Sequence, residues 1–153
     1  MCFPFFYKFI DITGLGKYAG KFEDTPLFVS NVGELKNHAA LALPGVGIFI
    51  HPDDEKNISL LRHEYGHMLQ AKRWGMFFFY RTIALTSLNS ARRSNQDPHF
   101  IHQHTWTEWT ANKLSYDFLK QPPDWDMRWY PIAAPVTRRE GSEVPGELVI
   151  GNQ

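Results

Sequence analysis

Between Asn57 and Gly75 runs ISLLRHEYGHMLQAKRW, with a capping residue before it, a glycine after it and no proline inside. That punctuation predicts a helix starting at Asn57 and stopping at Gly75. At about 100° per residue, Ile58, Leu61, Tyr65, Met68 and Leu69 fall on one stripe, which must face a core. His63 and His67 fall roughly opposite that stripe. The segment before the helix, HPDDEKN, supplies turn residues and acidic groups suited to a helix N-terminus.

The rest of the chain supplies partners for this helix. Residues 1 to 45 mix short apolar stretches with Gly14, Gly16, Gly20, Pro26 and Gly33, which reads as strands and turns, Leu27 to Val32 being the most β-rich. Val46 to Ile50 (VGIFI), bounded by Gly45 and Pro52, reads as a buried or half-buried strand. Residues 76 to 93 predict a second helix, 94 to 104 a loop, and Thr105 to Lys120 a third helix ended by Pro122 and Pro123. Beyond Pro131 there are few large apolar groups, which predicts a flexible C-terminal tail over 131–153 behind a single domain at 1–130. At 153 residues the chain has length for one core. The predicted class is a compact α+β domain with a small sheet.

Charge and cysteine content narrow the chemistry. Sixteen basic residues balance sixteen acidic ones, so composition offers no surplus of positive charge for nucleic acid or anionic lipid. The single cysteine, Cys2, excludes a disulfide framework and a Cys-rich zinc knuckle. Any metal must be held by His and carboxylates. The apolar opening, Met1 to Ile10, lacks the basic start and small-residue cleavage site of a signal peptide. Arg81 breaks the apolar run Met76 to Tyr80 far short of the roughly 20 residues a membrane helix needs. The expectation is therefore a cytoplasmic chain with no membrane span and no nucleic-acid partner.

His63-Glu64-Tyr65-Gly66-His67 matches H-E-x-x-H. Imidazoles at i and i+4 stack on one helix face and can chelate one zinc ion, while Glu64, about 100° around, can flank a water without being a ligand. Gly66 costs helix stability, which suggests the close approach of a second backbone, by helix packing or by a substrate. A catalytic zinc takes a third protein ligand. Gln70 and Arg73 stand where a metzincin would have Gly and His, so that ligand must lie downstream. Glu108 is the best candidate, sharing a face with Asn112, Ser115 and Leu119, and Asn112 would orient a ligating imidazole. A competing role exists, because Thr105 to Glu108 also forms a capping box. His104 is the rival ligand, in the run His99, His102, His104, one of which could instead steady an oxyanion, as could Tyr80, Arg81 or Tyr116. His51 reads as a turn residue, Asp117 points away from Glu108, and Trp106 and Trp109 read as core. No serine has a nucleophile-elbow setting.

Leu60 to Gln70 together with Glu108-Trp109-Thr110-Ala111-Asn112 resembles the zincin metallopeptidases, and among them the gluzincin ligand set. HEYGH with a following Gln is also similar to small zincin-like domains of bacterial proteins, some in polymorphic toxins. The resemblance covers roughly residues 46 to 120. It implies His63, His67 and Glu108 as zinc ligands, Glu64 as general base, a peptide or protein substrate, and VGIFI as the edge strand that holds an extended peptide beside the metal. One departure stands out: Asn112 occupies a position where the gluzincin pattern often has Asp. Two alternatives of a different class remain: a zincin-fold binding module without turnover, and a structural zinc site closed by His104.

Overall fold

The computed structural model describes residues 10–11, 13–32 and 39–135. It has the α+β architecture that the patterning predicts. Four strands, β1 (Lys17–Phe22), β2 (Thr25–Val29), β3 (Ala40–Leu43) and β4 (Gly47–Ile50), form one sheet in the order β1-β2-β4-β3. The β1/β2 and β3/β4 pairs are antiparallel and β2/β4 is parallel, with Leu27 opposite Ile48 and Ala42 opposite Ile48 on its other side. Three helical segments follow: α1 (Ile58–Trp74), α2 and α3 (Trp106–Phe118). Segment α2 is composite, an α turn at Met76–Phe78, a π-helical stretch at Phe79–Ala84 and an α-helix at Leu85–Gln96. Among the described residues no helix is long and apolar enough to cross a membrane.

VGIFI is not the edge strand. Gly47 to Ile50 are all buried, and β4 lies between β2 and β3. A run with large apolar groups at successive positions fills both faces of a sheet, and only an interior strand has both faces and both edges covered. The edge on this side is β3, whose alternation of exposed Leu41 and buried Ala42 suits a strand with one covered face.

The two faces of the sheet carry separate clusters. Leu27, Ala42, Ile48 and Ile50 pack on Leu61, Tyr65 and Met68 of α1. Phe28 and Phe49 stack at 4.9 Å on the opposite face, together with Ile10. Each large side chain so covered is worth about 2 kcal/mol of burial. The stripe predicted for α1 begins later than expected: Ile58 is exposed, and the cluster starts at Leu60 and Leu61. Both predicted ends of α1 are in place. Asn57 Oδ1 accepts from the Leu60 amide at 3.2 Å, and Gly75, at φ 88°, ends the helix in a backbone region that favours glycine.

Two boundaries differ from expectation. Helix α2 runs on to Gln96, and within the expected loop His102–His104 form a 3₁₀ turn. The segment between α3 and the expected tail is anchored within the domain: Arg62 Nη2 donates to Asp124 Oδ1 at 3.1 Å, and Trp125 Nε1 donates to the Tyr130 carbonyl at 2.9 Å. The remainder of the expected tail, 136–153, lies outside the described residues.

Helices α1 and α3 cross at Gly66. A Cβ placed there would lie 2.2 Å from the Ala111 carbonyl oxygen and 2.5 Å from its carbon. The mid-helix glycine is thus explained by backbone contact between the two helices. Gly66→Ala should lower stability in a urea titration by about 2 to 3 kcal/mol. A stability gain of about 1 kcal/mol, as helix propensity alone would give, would contradict this packing.

Candidate metal centre

The α1/α3 contact brings distant side chains together. His63, His67 and Glu108 are buried, and one ligand atom from each lies within 4.8 Å of the other two. Among the described residues this is the one such cluster of His, Cys, Asp and Glu; His102 and His104 are outside it. Glu108 Oε2 stands 3.2 Å from His63 Nε2 and 3.4 Å from His67 Nε2. Its other oxygen, Oε1, accepts from the Thr107 hydroxyl at 2.9 Å. The carboxylate therefore turns into the helix crossing and does not close a capping box. Thr105 does cap α3 in backbone geometry, but its hydroxyl is buried without a hydrogen-bond partner among the described residues.

The polar groups behind the imidazoles decide which ring nitrogen carries hydrogen. Gln70 Nε2 donates to the Thr107 carbonyl at 2.6 Å and to Thr110 Oγ1 at 2.8 Å. Its Oε1 is therefore the atom facing His67 Nδ1, at 2.7 Å, and can only accept. Asn112 Nδ2 donates to the Pro131 carbonyl at 3.0 Å, which leaves its Oδ1 as acceptor for His63 Nδ1 at 2.7 Å. Both Nδ1 atoms must carry hydrogen. In the neutral rings both Nε2 lone pairs then point at a carboxylate oxygen, an arrangement of acceptors alone.

A third imidazole repeats the pattern. Ser90 Oγ donates to the Ser87 carbonyl at 2.8 Å, so His102 Nδ1, 2.6 Å from the same oxygen, donates to it. His102 Nε2 then faces Glu108 Oε2 at 3.4 Å. Acceptors converging in a dry site repel unless a cation lies between them. The cation can be a proton or a metal, and the donor set suits zinc: two imidazoles, one carboxylate and polar groups fixing each ring from behind.

The titration behaviour fits a site short of positive charge. Burial works against a charged His63, but Glu108, Glu64 and the Asn112 oxygen outweigh it and raise the ring to about 9. Burial likewise opposes charge on Glu108, yet His67 and His63 hold the carboxyl well below its ordinary range. Burial raises Glu64, with the two imidazoles partly offsetting it. The Ala42 backbone amide, in edge strand β3, lies on the Glu64 side and also works against that rise. Burial lowers His102, and the other two imidazoles add to that.

Several expected residues lie elsewhere. Tyr80 donates its hydroxyl hydrogen to the Pro44 carbonyl at 2.8 Å, Tyr116 packs edge-on against Trp125, and Arg81 is exposed. None of the three faces the cluster. His51 accepts from the Asp53 amide, the turn role foreseen for it, and Asp117 pairs with Lys113. In their place Tyr130 lies against His63, ring centroids 5.4 Å apart, and burial together with the nearby Glu64 charge pushes its hydroxyl up to about 12. Tyr130, Ser90 and the role of Gln70 were not foreseen. Only Gln70 left a trace in the sequence, one turn beyond His67 on the same helix.

Comparison with family models, curated proteins and solved structures finds no match to this chain. The site therefore stands on its own geometry. If Gln70 and Asn112 fix the rings as described, Gln70→Leu and Asn112→Leu should each weaken zinc binding by roughly 10- to 100-fold in a competition titration against a chromophoric chelator. Unchanged affinity in both variants would show that the rings are oriented by something else.

Proposed function

We propose that this chain is a zinc-dependent peptidase of zincin type, with His63, His67 and Glu108 as ligands and Glu64 as general base. The observation that supports this reading best is the convergence of two Nε2 lone pairs on Glu108 Oε2, with each Nδ1 committed to an amide oxygen. Zinc held there would polarise a substrate carbonyl and lower the pKa of a water. Glu64 is buried, and that burial raises its carboxyl above the ordinary range, the direction a proton carrier needs. In this reading it takes a proton from the attacking water and passes it to the leaving amine. Tyr130 flanks the cluster and keeps its hydroxyl hydrogen, so it is the group suited to meet charge developing on the carbonyl oxygen. The exposed edge of the sheet beside Glu64 is β3, so β3, not VGIFI, is the strand on which an extended peptide would align.

A second reading is favoured by His102. Its Nε2 lies as close to Glu108 Oε2 as that of His67. His102 is outside the His63–His67–Glu108 group, but were its ring to swing in as a fourth ligand the metal would have no open position, and the centre would be structural. His102→Ala separates the two. An open site keeps its zinc affinity in this variant, whereas a closed one loses it.

Glu64→Gln should retain one zinc per chain and lose at least about 100-fold in cleavage of a casein or peptide panel. His63→Ala should lose both metal and cleavage. If Glu64→Gln cleaves as well as the parent, the proposed mechanism fails.

A further inference from the structure

The overall charge balance conceals a local asymmetry. From Tyr65 to Gln96 there is no acidic residue, while Lys72, Arg73, Arg81, Arg92 and Arg93 are basic. Because the whole chain is neutral, the remainder carries five net negative charges. Lys72 is paired with Asp24, but none of the four arginines is in an ion pair among the described residues. All five side chains are exposed.

The same segment holds an uncovered apolar ridge. Helix α2 buries Phe79, Ile83 and Ser90 against the domain. Its opposite face exposes Phe77, Tyr80, Leu85 and Leu88, with Phe77 at 79%. The π stretch matters here: its wider turn keeps residues four apart in line, so Phe77, Arg81 and Leu85 stay on one face, and Leu88 and Arg92 continue it at helical spacing. An exposed row of aromatic and aliphatic groups interleaved with arginine is the composition of a helix lying in a membrane interface.

We propose that the outer face of α2 docks on a negatively charged lipid surface, with Phe77, Leu85 and Leu88 entering the headgroup boundary and Arg81 and Arg92 meeting lipid phosphates. Charge complementarity selects this occupant. A second copy of the chain would place one basic face against another, which repels. A nucleic acid would satisfy the arginines but leave the apolar ridge against phosphates. The acidic remainder of the chain would orient away from the lipid, so the charge asymmetry also sets the docking direction. Tyr80 ties this face to the β3–β4 turn through the Pro44 carbonyl, which would hold edge strand β3 near the bilayer.

Co-sedimentation of the full chain with phosphatidylcholine vesicles, with and without phosphatidylserine, tests this directly. Binding should require phosphatidylserine and weaken as salt is raised. Arg81→Gln/Arg92→Gln should reduce it by roughly 30-fold, and Phe77→Ser/Leu85→Ser should remove it, with unchanged thermal midpoints because all four positions are exposed. Four results would overturn the proposal: no binding to either vesicle, equal binding to both, full binding by the Phe77→Ser/Leu85→Ser variant, or a solution dimer that Phe77→Ser dissociates. Retention on DNA by α2 arginines without vesicle binding would reassign the face to nucleic acid.

Discussion

Everything at the centre of this molecule turns on a carboxylate held against imidazole lone pairs in a place that water barely reaches. Glu108 is 1% exposed. An ionised carboxylate at that depth needs positive charge here, because its neutral hydrogen bond, from Thr107, serves Oε1 and leaves Oε2 to the imidazoles. The protein spends its hydrogen bonds on the reverse side of each ring, through Gln70, Asn112 and Ser90. It thereby aims the Nε2 atoms of His63 and His67 at the Glu108 carboxylate. A site meant only to stabilise the fold would be simpler with apolar groups in the same volume.

The surrounding fold serves that arrangement. Gly66 lets the α1 and α3 backbones meet at Ala111, which is what brings Glu108 onto the HEYGH face. The sheet clamps the opposite face of α1 through Leu61, Tyr65 and Met68. Helix α1 is therefore buried on two sides, its apolar stripe on the sheet and its histidines on α3. An amide at position 112 has a physical reason of its own. One amide can accept from His63 and donate to the Pro131 carbonyl, whereas a carboxylate could do only the first. The chain beyond α3 is thus tied to the orientation of a candidate ligand, and Tyr130 is placed over the same ring.

Much of this was legible in the sequence where local rules act alone. The ends of α1 follow from Asn57 and Gly75, the face of the histidines from a spacing of four, and the close approach at Gly66 from the cost of a mid-helix glycine. What depended on tertiary partners was not. VGIFI is a strand in any reading, but whether a strand is central or at the edge depends on its neighbours, and β3, only ALAL, carries a weak signal. Capping box and inward carboxylate use the same residue types at Thr105 and Glu108, so pattern could not choose between them. His102 and His104 differ by two positions in a polar run, and only the turn at 102–104 sets which one faces Glu108. Tyr130 sits in a segment whose order comes from contacts of Trp125 and Pro131, invisible to periodicity.

The central claim is that these lone pairs converge on a metal ion. Zinc-edge X-ray absorption on the zinc-loaded full chain reads that coordination directly. The account predicts a four-coordinate shell at about 2.0 to 2.2 Å that includes the multiple-scattering signature of two imidazoles, with oxygen in the remaining positions. A shell of oxygens alone, or zinc that washes away without any imidazole signal, would contradict it.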